Sequence, residues 1–160
     1  MDELAKNSDR IIINPNDLEL LKKQGLPIKV IPPQTINELF EKRKEIIRDV
    51  LIKWYIARAS KIVRQRVNRY CKLMDLFPKE VIIKDQKKRW ASCSKDGTLR
   101  FNWRISMAPI SIVDYIVVHE LCHLKIKNHS TDFWKLVSIA LPDYQKRRDW
   151  LKNNIGIFRL

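Results

Sequence analysis

The three histidines of the chain all fall between positions 119 and 129. His119 and His123 are four residues apart, so on a helix their imidazoles lie on one face, about one turn apart. Two imidazoles in this arrangement can bind one metal ion. Glu120 directly follows the first histidine, where its carboxylate lies beside such an ion and can act as a general base toward water. This HExxH spacing predicts the metal site of a hydrolase.

A third metal ligand has to come from outside the motif. His129 is the first candidate, because residues 124–128 can leave the helix and turn back, and a carboxylate from another helix is the alternative. Three neutral imidazoles and one water form an open tetrahedral zinc site. HExxH also occurs by chance, with histidines that only pack. Apolar neighbours such as Ile116 and Leu121 predict a buried helix, however, where imidazoles need a metal ion or hydrogen-bond partners. We therefore expect one Zn²⁺ ion.

Hydrophobic periodicity defines the elements that position this motif. Neither glycine nor proline occurs between Pro33 and Pro78, and apolar residues recur there at helical spacing, which predicts one long helix or two helices with a break near 59–60. The dipeptide Asp96-Gly97 predicts the turn of a hairpin. Strands are predicted at 81–84, 89–93 and 98–103. Further helices are predicted after Pro109, from Ser130 and from Pro142.

This order of elements predicts an α+β fold, with long N-terminal helices, a small three-stranded antiparallel sheet, the HExxH helix and C-terminal helices. Residues 35–160 form the expected domain. Residues 1–34 form an expected N-terminal arm, irregular or β, with candidate strands at 11–13 and 28–31.

Three separated motifs resemble one known family. The segment 114–124, DYIVVHELCHL, followed by His129-Ser130 and Phe133-Trp134, is similar to the YgjP-like zinc metallohydrolases, which are related to the SprT-like and WLM metallopeptidases. The stretch 89–94, RWASCS, and the later 102–104, NWR, also fit this pattern, with Ala91 where the family usually has glycine. The resemblance covers roughly 35–155, and residues 1–34 have no clear counterpart in it.

This resemblance implies a gluzincin-like minimal metallopeptidase. His119, His123 and His129 would hold the zinc ion, and Glu120 would be the catalytic base. The histidine spacing also equals that of the metzincin proteases, but Ile126 stands where those proteases need glycine, which argues against a metzincin.

The charge of the chain favours an anionic partner. It has 32 Lys and Arg against 18 Asp and Glu, a formal net charge of +14. Seven basic residues and no acidic one fall between Lys53 and Lys72, which predicts either a solvated helix face or a surface that contacts phosphates. The candidate nucleic-acid or phosphate contacts are Arg58, Lys61, Arg64, Lys88 and Arg89.

Four further residues are candidates for contacts with the substrate. Trp90 flanks the predicted hairpin and can line a cleft. Asn102, Tyr144 and Arg147 are candidates for stabilising negative charge on the reacting carbonyl.

The remaining composition favours a monomeric cytoplasmic protein. Cys71, Cys93 and Cys122 are odd in number and widely spaced, which predicts free thiols in a reducing compartment. The first residues do not fit a signal peptide, and no apolar run approaches the ~18 residues of a membrane span.

These observations predict a cytoplasmic zinc metallopeptidase that hydrolyses protein or peptide substrates, including proteins associated with nucleic acid. Two alternatives stay open at this stage. One is a metal-dependent nucleotide phosphohydrolase, such as a nucleoside triphosphate pyrophosphatase, which would use the same metal and base. The other is a basic nucleic-acid-binding module whose zinc ion is structural and has four protein ligands.

Overall fold

A computed structural model describes residues 33–86 and 89–154. The chain divides into two compact units, Met1–Asp49 and Val50–Leu160. The candidate strands at 11–13 and 28–31 lie outside the described residues, as does nearly all of the expected arm. The proposed domain boundary after residue 34 therefore stays a prediction.

Helix α1 runs without interruption over Pro33–Met74, so the break considered near 59–60 does not occur. Its length follows from the absence of helix-breaking residues. In the second unit its inward side carries Ala59, Val63 and Val67, each at most 3% exposed, at the three- and four-residue spacing of one helix face. The helix ends at Met74, and the positive φ of 53° at the next residue, Asp75, turns the chain away.

The sheet has three strands in the order β1-β3-β2. The strands are β1 Glu80–Lys84, β2 Ala91–Cys93 and β3 Thr98–Asn102. The hairpin is confirmed, because β2 and β3 pair antiparallel across a turn in which Gly97 takes a φ of 85°.

The expectation of a wholly antiparallel sheet is wrong. Strand β1 pairs parallel to β3, with Glu80 opposite Thr98 and Lys84 opposite Asn102, so the sheet is mixed. Strand β2 follows β1 in the chain but lies on the opposite side of β3, so β1 and β2 are not neighbours in the sheet. Strand β1 occupies the other side of β3 and runs in the same direction as β3. Local alternation of apolar residues predicts strands but not which strand pairs with which.

Three α-helices follow the sheet, after a short 3₁₀-helix. Their bounds are α2 Ile110–Lys125, α3 Thr131–Ala140 and α4 Tyr144–Asn153, and the 3₁₀-helix is Trp103–Met107. Ser130 caps α3 as predicted, since its Oγ accepts a hydrogen bond from the Phe133 amide. Leu99 and Phe101 of β3 are fully buried in the same core as Val117 and Leu121 of α2. The α+β class is confirmed. None of the helices in the described ranges is long and apolar enough to cross a membrane.

A part-buried ion-pair network links α2 to α1 and to α4. Asp114 of α2 is 7% exposed and accepts two hydrogen bonds from the Arg66 guanidinium of α1, one of them from Nη2 at 2.7 Å. Arg147 of α4 places Nη1 4.0 Å from the same carboxylate. Because Asp114 lies five positions before His119, this network holds the motif helix in place.

Candidate metal centre

The three histidines converge, as the sequence predicts. Helix α2 presents His119 and His123 from successive turns and ends at Lys125, after which Ile126 takes an extended conformation. The chain then returns to place His129 two residues before α3. The His119 Nε2 atom lies 3.2 Å from His123 Nε2 and 3.0 Å from His129 Nε2. One ligand atom from each of the three rings lies within 4.8 Å of the others.

These distances fit a bound metal ion. Nitrogen ligands at about 2.0–2.1 Å in a tetrahedral zinc site lie about 3.3 Å apart. The two spacings from His119 Nε2, at 3.2 and 3.0 Å, are close to that value. His123 also places Nδ1 3.0 Å from the Ile126 carbonyl, an arrangement that leaves the Nε2 lone pair free for a metal.

The electrostatics of the cluster favour neutral imidazoles, which is the form that binds metals. Burial, with smaller contributions from the neighbouring histidines, lowers the pKa of His119 to about 3. Burial also lowers the pKa of His123. Both rings are therefore uncharged at neutral pH, with lone pairs available.

Aromatic side chains of α3 form a wall against the histidines. Phe133 is fully buried, and its ring centroid lies 4.6 Å from that of His123 and 5.0 Å from that of His119. Trp134 stacks on His129 at 5.6 Å. This packing limits the orientations of all three imidazoles, so the Phe133-Trp134 pair seen in the sequence motif holds the ligands in position.

Glu120 directly follows His119 in α2 and is buried, with 7% of its surface exposed. Burial raises the pKa of its carboxyl group to about 7, and the positive charge of Arg89 opposes part of that rise. Burial raises the pKa of the Cys93 thiol on β2, and the negative charge of Glu120 adds to that rise. A carboxyl group with a pKa near neutrality can both accept and release a proton, as a general base that later acts as an acid must.

Asn102 and Arg147 make hydrogen bonds within the fold. Asn102 is 4% exposed; its Nδ2 donates to the carbonyls of Gln86 and Arg89 at 2.6 and 3.2 Å. Arg147 donates to the Ser111 carbonyl at 3.0 Å and to Asp143, beside Asp114. These hydrogen bonds stabilise the fold. That Asn102 or Arg147 also contacts the substrate stays a prediction.

Tyr144 and Trp90 lie in the surroundings of the site. Tyr144 stacks on Trp134 at 5.3 Å, so one ring separates it from His129. Trp90 is half-buried against the core, and its backbone carbonyl accepts a hydrogen bond from the backbone N–H of Asn102 at 2.8 Å. Their roles toward substrate also stay predictions.

Two residues near the cluster were missed by the sequence analysis. Arg148, the neighbour of Arg147, lies 4.8 Å from the ring centroid of Trp134, and its charge helps to lower the pKa of His119. Tyr115 is 5% exposed with its ring 5.9 Å from that of His119. Helical spacing could have identified both residues, because residues four positions apart lie on the same helix face. Tyr115 precedes His119 by four positions, and Arg148 follows Tyr144 by four.

The candidate phosphate contacts lie in two different parts of the structure. Arg58, Lys61 and Arg64 are exposed on α1. Arg89 is exposed and close enough to Glu120 for its charge to act on that carboxyl. Lys88 lies outside the described residues.

Comparison with known proteins identifies the family. A family model described as YgjP-like, metallopeptidase domain, matches residues 10–154. The chain belongs to the YgjP-like family, and its domain is that of a metal-dependent peptidase. The match starts at residue 10, so the expectation that the whole of 1–34 lacks a counterpart is wrong for residues 10–34.

The solved structures that are similar to this chain include two metallopeptidase zymogens. Abylysin of Pyrococcus abyssi is 24% identical, with a TM-score of 0.53 over 57% of this chain and 93% of its own. Jannalysin of Methanocaldococcus jannaschii is 25% identical, with a TM-score of 0.52 over 58% of this chain and 96% of its own. No curated protein matches the chain significantly.

Proposed function

We propose that this protein is a zinc metallopeptidase in which His119, His123 and His129 hold one Zn²⁺ ion and Glu120 is the catalytic base. The observation that carries the proposal is the convergence of three imidazoles on one point, with the buried carboxyl group of Glu120 directly after the first of them in the chain. Zinc is the metal of choice because three nitrogen ligands at these spacings suit its tetrahedral geometry. A zinc ion in this position would polarise the scissile carbonyl and lower the pKa of a water molecule.

Glu120 would take the proton from the attacking water and give it to the leaving amine. Burial supports the return of the proton, because it raises the pKa of this carboxyl group above that of an exposed glutamate and so favours its protonated form. The negative charge that develops on the carbonyl oxygen needs a nearby cation. We assign that role to Arg148, whose charge already acts on His119.

An extended peptide would bind along β2. This strand lies at the edge of the sheet, with β3 on its other side, and its Cys93 lies close enough to Glu120 to respond to its charge. Main-chain groups at a sheet edge can pair with a substrate strand regardless of its sequence. Such pairing would place a peptide bond next to the histidine cluster.

A catalytic metal site is favoured over a structural one. Within the described part of the chain, the cluster has three side chains of the types that bind metal ions, which leaves a fourth position for substrate or water. The YgjP-like metallopeptidase assignment favours peptide bonds over nucleotide phosphates as the bonds hydrolysed.

A monomer in the cytoplasm is the setting we propose. All three histidines and Glu120 come from one chain, so the site needs no second subunit. The three cysteines are free thiols, as expected in a reducing compartment.

The substitution Glu120→Gln tests the proposal. The variant should retain its zinc content and lose peptide hydrolysis by about 10²-fold or more, the range of a general base. Glu80→Gln, an exposed carboxylate at the start of β1, is the matched control and should keep full activity. Assays of both variants on peptides and on nucleoside triphosphates separate the two enzyme activities. Undiminished peptide hydrolysis by Glu120→Gln would reject the base assignment.

A further inference from the structure

One side of α1 carries a line of cations that the peptidase site does not use. Five basic residues in this line are exposed; four of them lie opposite the face that packs in the core, whereas Arg64 lies between the two faces and donates from Nη2 to the Val81 carbonyl of β1 at 3.5 Å. We call them the basic ridge: Arg58, Lys61, Arg64, Arg69 and Lys72. Arg66, from the same basic run, instead points inward to Asp114.

The charge of the basic ridge is not neutralised. No acidic residue occurs between positions 53 and 74. Within residues 33–86 and 89–154, no member of the ridge forms an ion pair, whereas Arg66, Arg104 and Arg147 all do. At 1.5 Å per residue the ridge extends about 21 Å along the helix. Like charges held in a row repel one another, so a bound polyanion would stabilise this arrangement.

A cavity of about 530 Å³ opens beside the end of the ridge, between α1 and β1. Arg64, Asn68 and Lys72 line it from the helix, and Lys79 lines it from the strand side. Phe77 is 67% exposed and forms part of the wall. The volume of the cavity falls within the range of about 300–1,000 Å³ of small-ligand sites. Its lining combines three cations and one carboxylate, that of Glu80, with an exposed aromatic ring.

We propose that the basic ridge binds the phosphates of a single-stranded nucleic acid and that the neighbouring cavity receives one of its bases against Phe77. The ridge provides a row of positive charges that can neutralise successive phosphates of a sugar-phosphate backbone. The cavity provides a face on which an unstacked base can lie, with Asn68 as a hydrogen-bonding group at its side. A single strand fits because its bases are free to leave the stack, whereas those of a duplex are paired.

The basic ridge and the neighbouring cavity share no residue with the proposed peptidase site. None of its residues is a proposed metal ligand, base or substrate contact, so its failure would leave the zinc peptidase proposal standing. If both hold, the surface would keep the peptidase close to proteins bound to single-stranded nucleic acid.

Fluorescence anisotropy with labelled 12-nucleotide oligomers tests the proposal. Probes of oligo(dT), oligo(U) and a DNA duplex are titrated with the full chain at several salt concentrations. The double variant Lys61→Gln/Lys72→Gln should reduce the slope of log affinity against log salt by about 1.4, at about 0.7 for each of two lost phosphate contacts. The matched control Lys146→Gln/Lys152→Gln removes the same charge from exposed positions on α4 and should leave the slope unchanged.

The substitution Phe77→Ala tests the cavity separately. Loss of one stacked base should weaken binding of the single strands about fivefold or more, without changing the salt slope. Peptide hydrolysis should be the same in all these variants. A preference for oligo(U) or for oligo(dT) would identify the natural class of strand. Three results would each overturn the proposal: affinity that does not depend on salt, an equal effect of the ridge and control variants, or a duplex bound as tightly as the single strands.

Discussion

The Asp114 network gives the sharpest prediction for stability. The substitution Asp114→Asn removes the negative charge that pairs with Arg66 and Arg147, whose side chains are only 15% and 18% exposed. Removing one partner of a fully buried ion pair costs about 3–5 kcal/mol, because the remaining charge is left without compensation. Since both guanidinium groups keep some contact with water, we expect a loss near the lower end, about 3 kcal/mol.

Urea unfolding of the metal-loaded protein measures this loss. For a chain of this size, about 3 kcal/mol corresponds to a decrease in Tm of about 10 °C. Glu41→Gln is the control, because Glu41 pairs with Lys44 while both side chains are about two-thirds exposed or more. That substitution should lower the unfolding free energy by about 0.5 kcal/mol or less.

A double variant tests whether uncompensated charge causes the predicted loss of about 3 kcal/mol. If the loss comes from uncompensated charge, Arg66→Gln combined with Asp114→Asn should cost less than the sum of the two single substitutions. Additive losses, or a loss for Asp114→Asn no larger than that for Glu41→Gln, would refute the view that this network fixes α2.

Three further predictions concern the metal, the charge near it and the hairpin. Chelation of the metal should abolish peptide hydrolysis and added Zn²⁺ should restore it; activity that survives complete removal would contradict the proposed role of the metal. Arg148→Gln should lower kcat/KM about tenfold or more with unchanged zinc content, and unaltered kinetics would exclude its role. Hydrogen bonds from Ser94 and Thr98 hold the pKa of Asp96 at about 2, below its usual value. A depressed pKa stabilises the fold above the unfolded pKa, so the stability difference between Asp96→Ala and the parent should shrink between about pH 5 and pH 2. An equal difference at both ends of that range would contradict this origin of the stability.

The local parts of the site could be predicted from the sequence. His119 and His123 are related by the helical repeat, and the buried character of α2 follows from its apolar flanks. The return of His129 was one of two alternatives, and its convergence with the other rings depends on the packing of Phe133 in the core. Residue types and spacing were sufficient here because most of the cluster is contained in a single helix and the turn after it.

Long-range relations could not be predicted in the same way. Helical periodicity marks Arg66 as one more cation of a basic run, and only the position of Asp114, 48 residues later, turns it inward. Similarly, alternation marks β1 as a strand but carries no information on its parallel pairing with β3. The different surroundings of the adjacent Arg147 and Arg148 likewise depend on residues distant in the chain. Arg147 lies against Asp114, whereas Arg148 lies against Trp134.

X-ray absorption at the zinc edge of the purified protein tests the central proposal most directly, when combined with the metal content of the same sample. We predict one zinc ion per chain, with only nitrogen and oxygen neighbours at about 2.0–2.1 Å and the scattering pattern of three imidazoles. A sample that binds no zinc under saturating conditions, or a neighbour at about 2.3 Å that marks a cysteine sulfur, would contradict the three-histidine site.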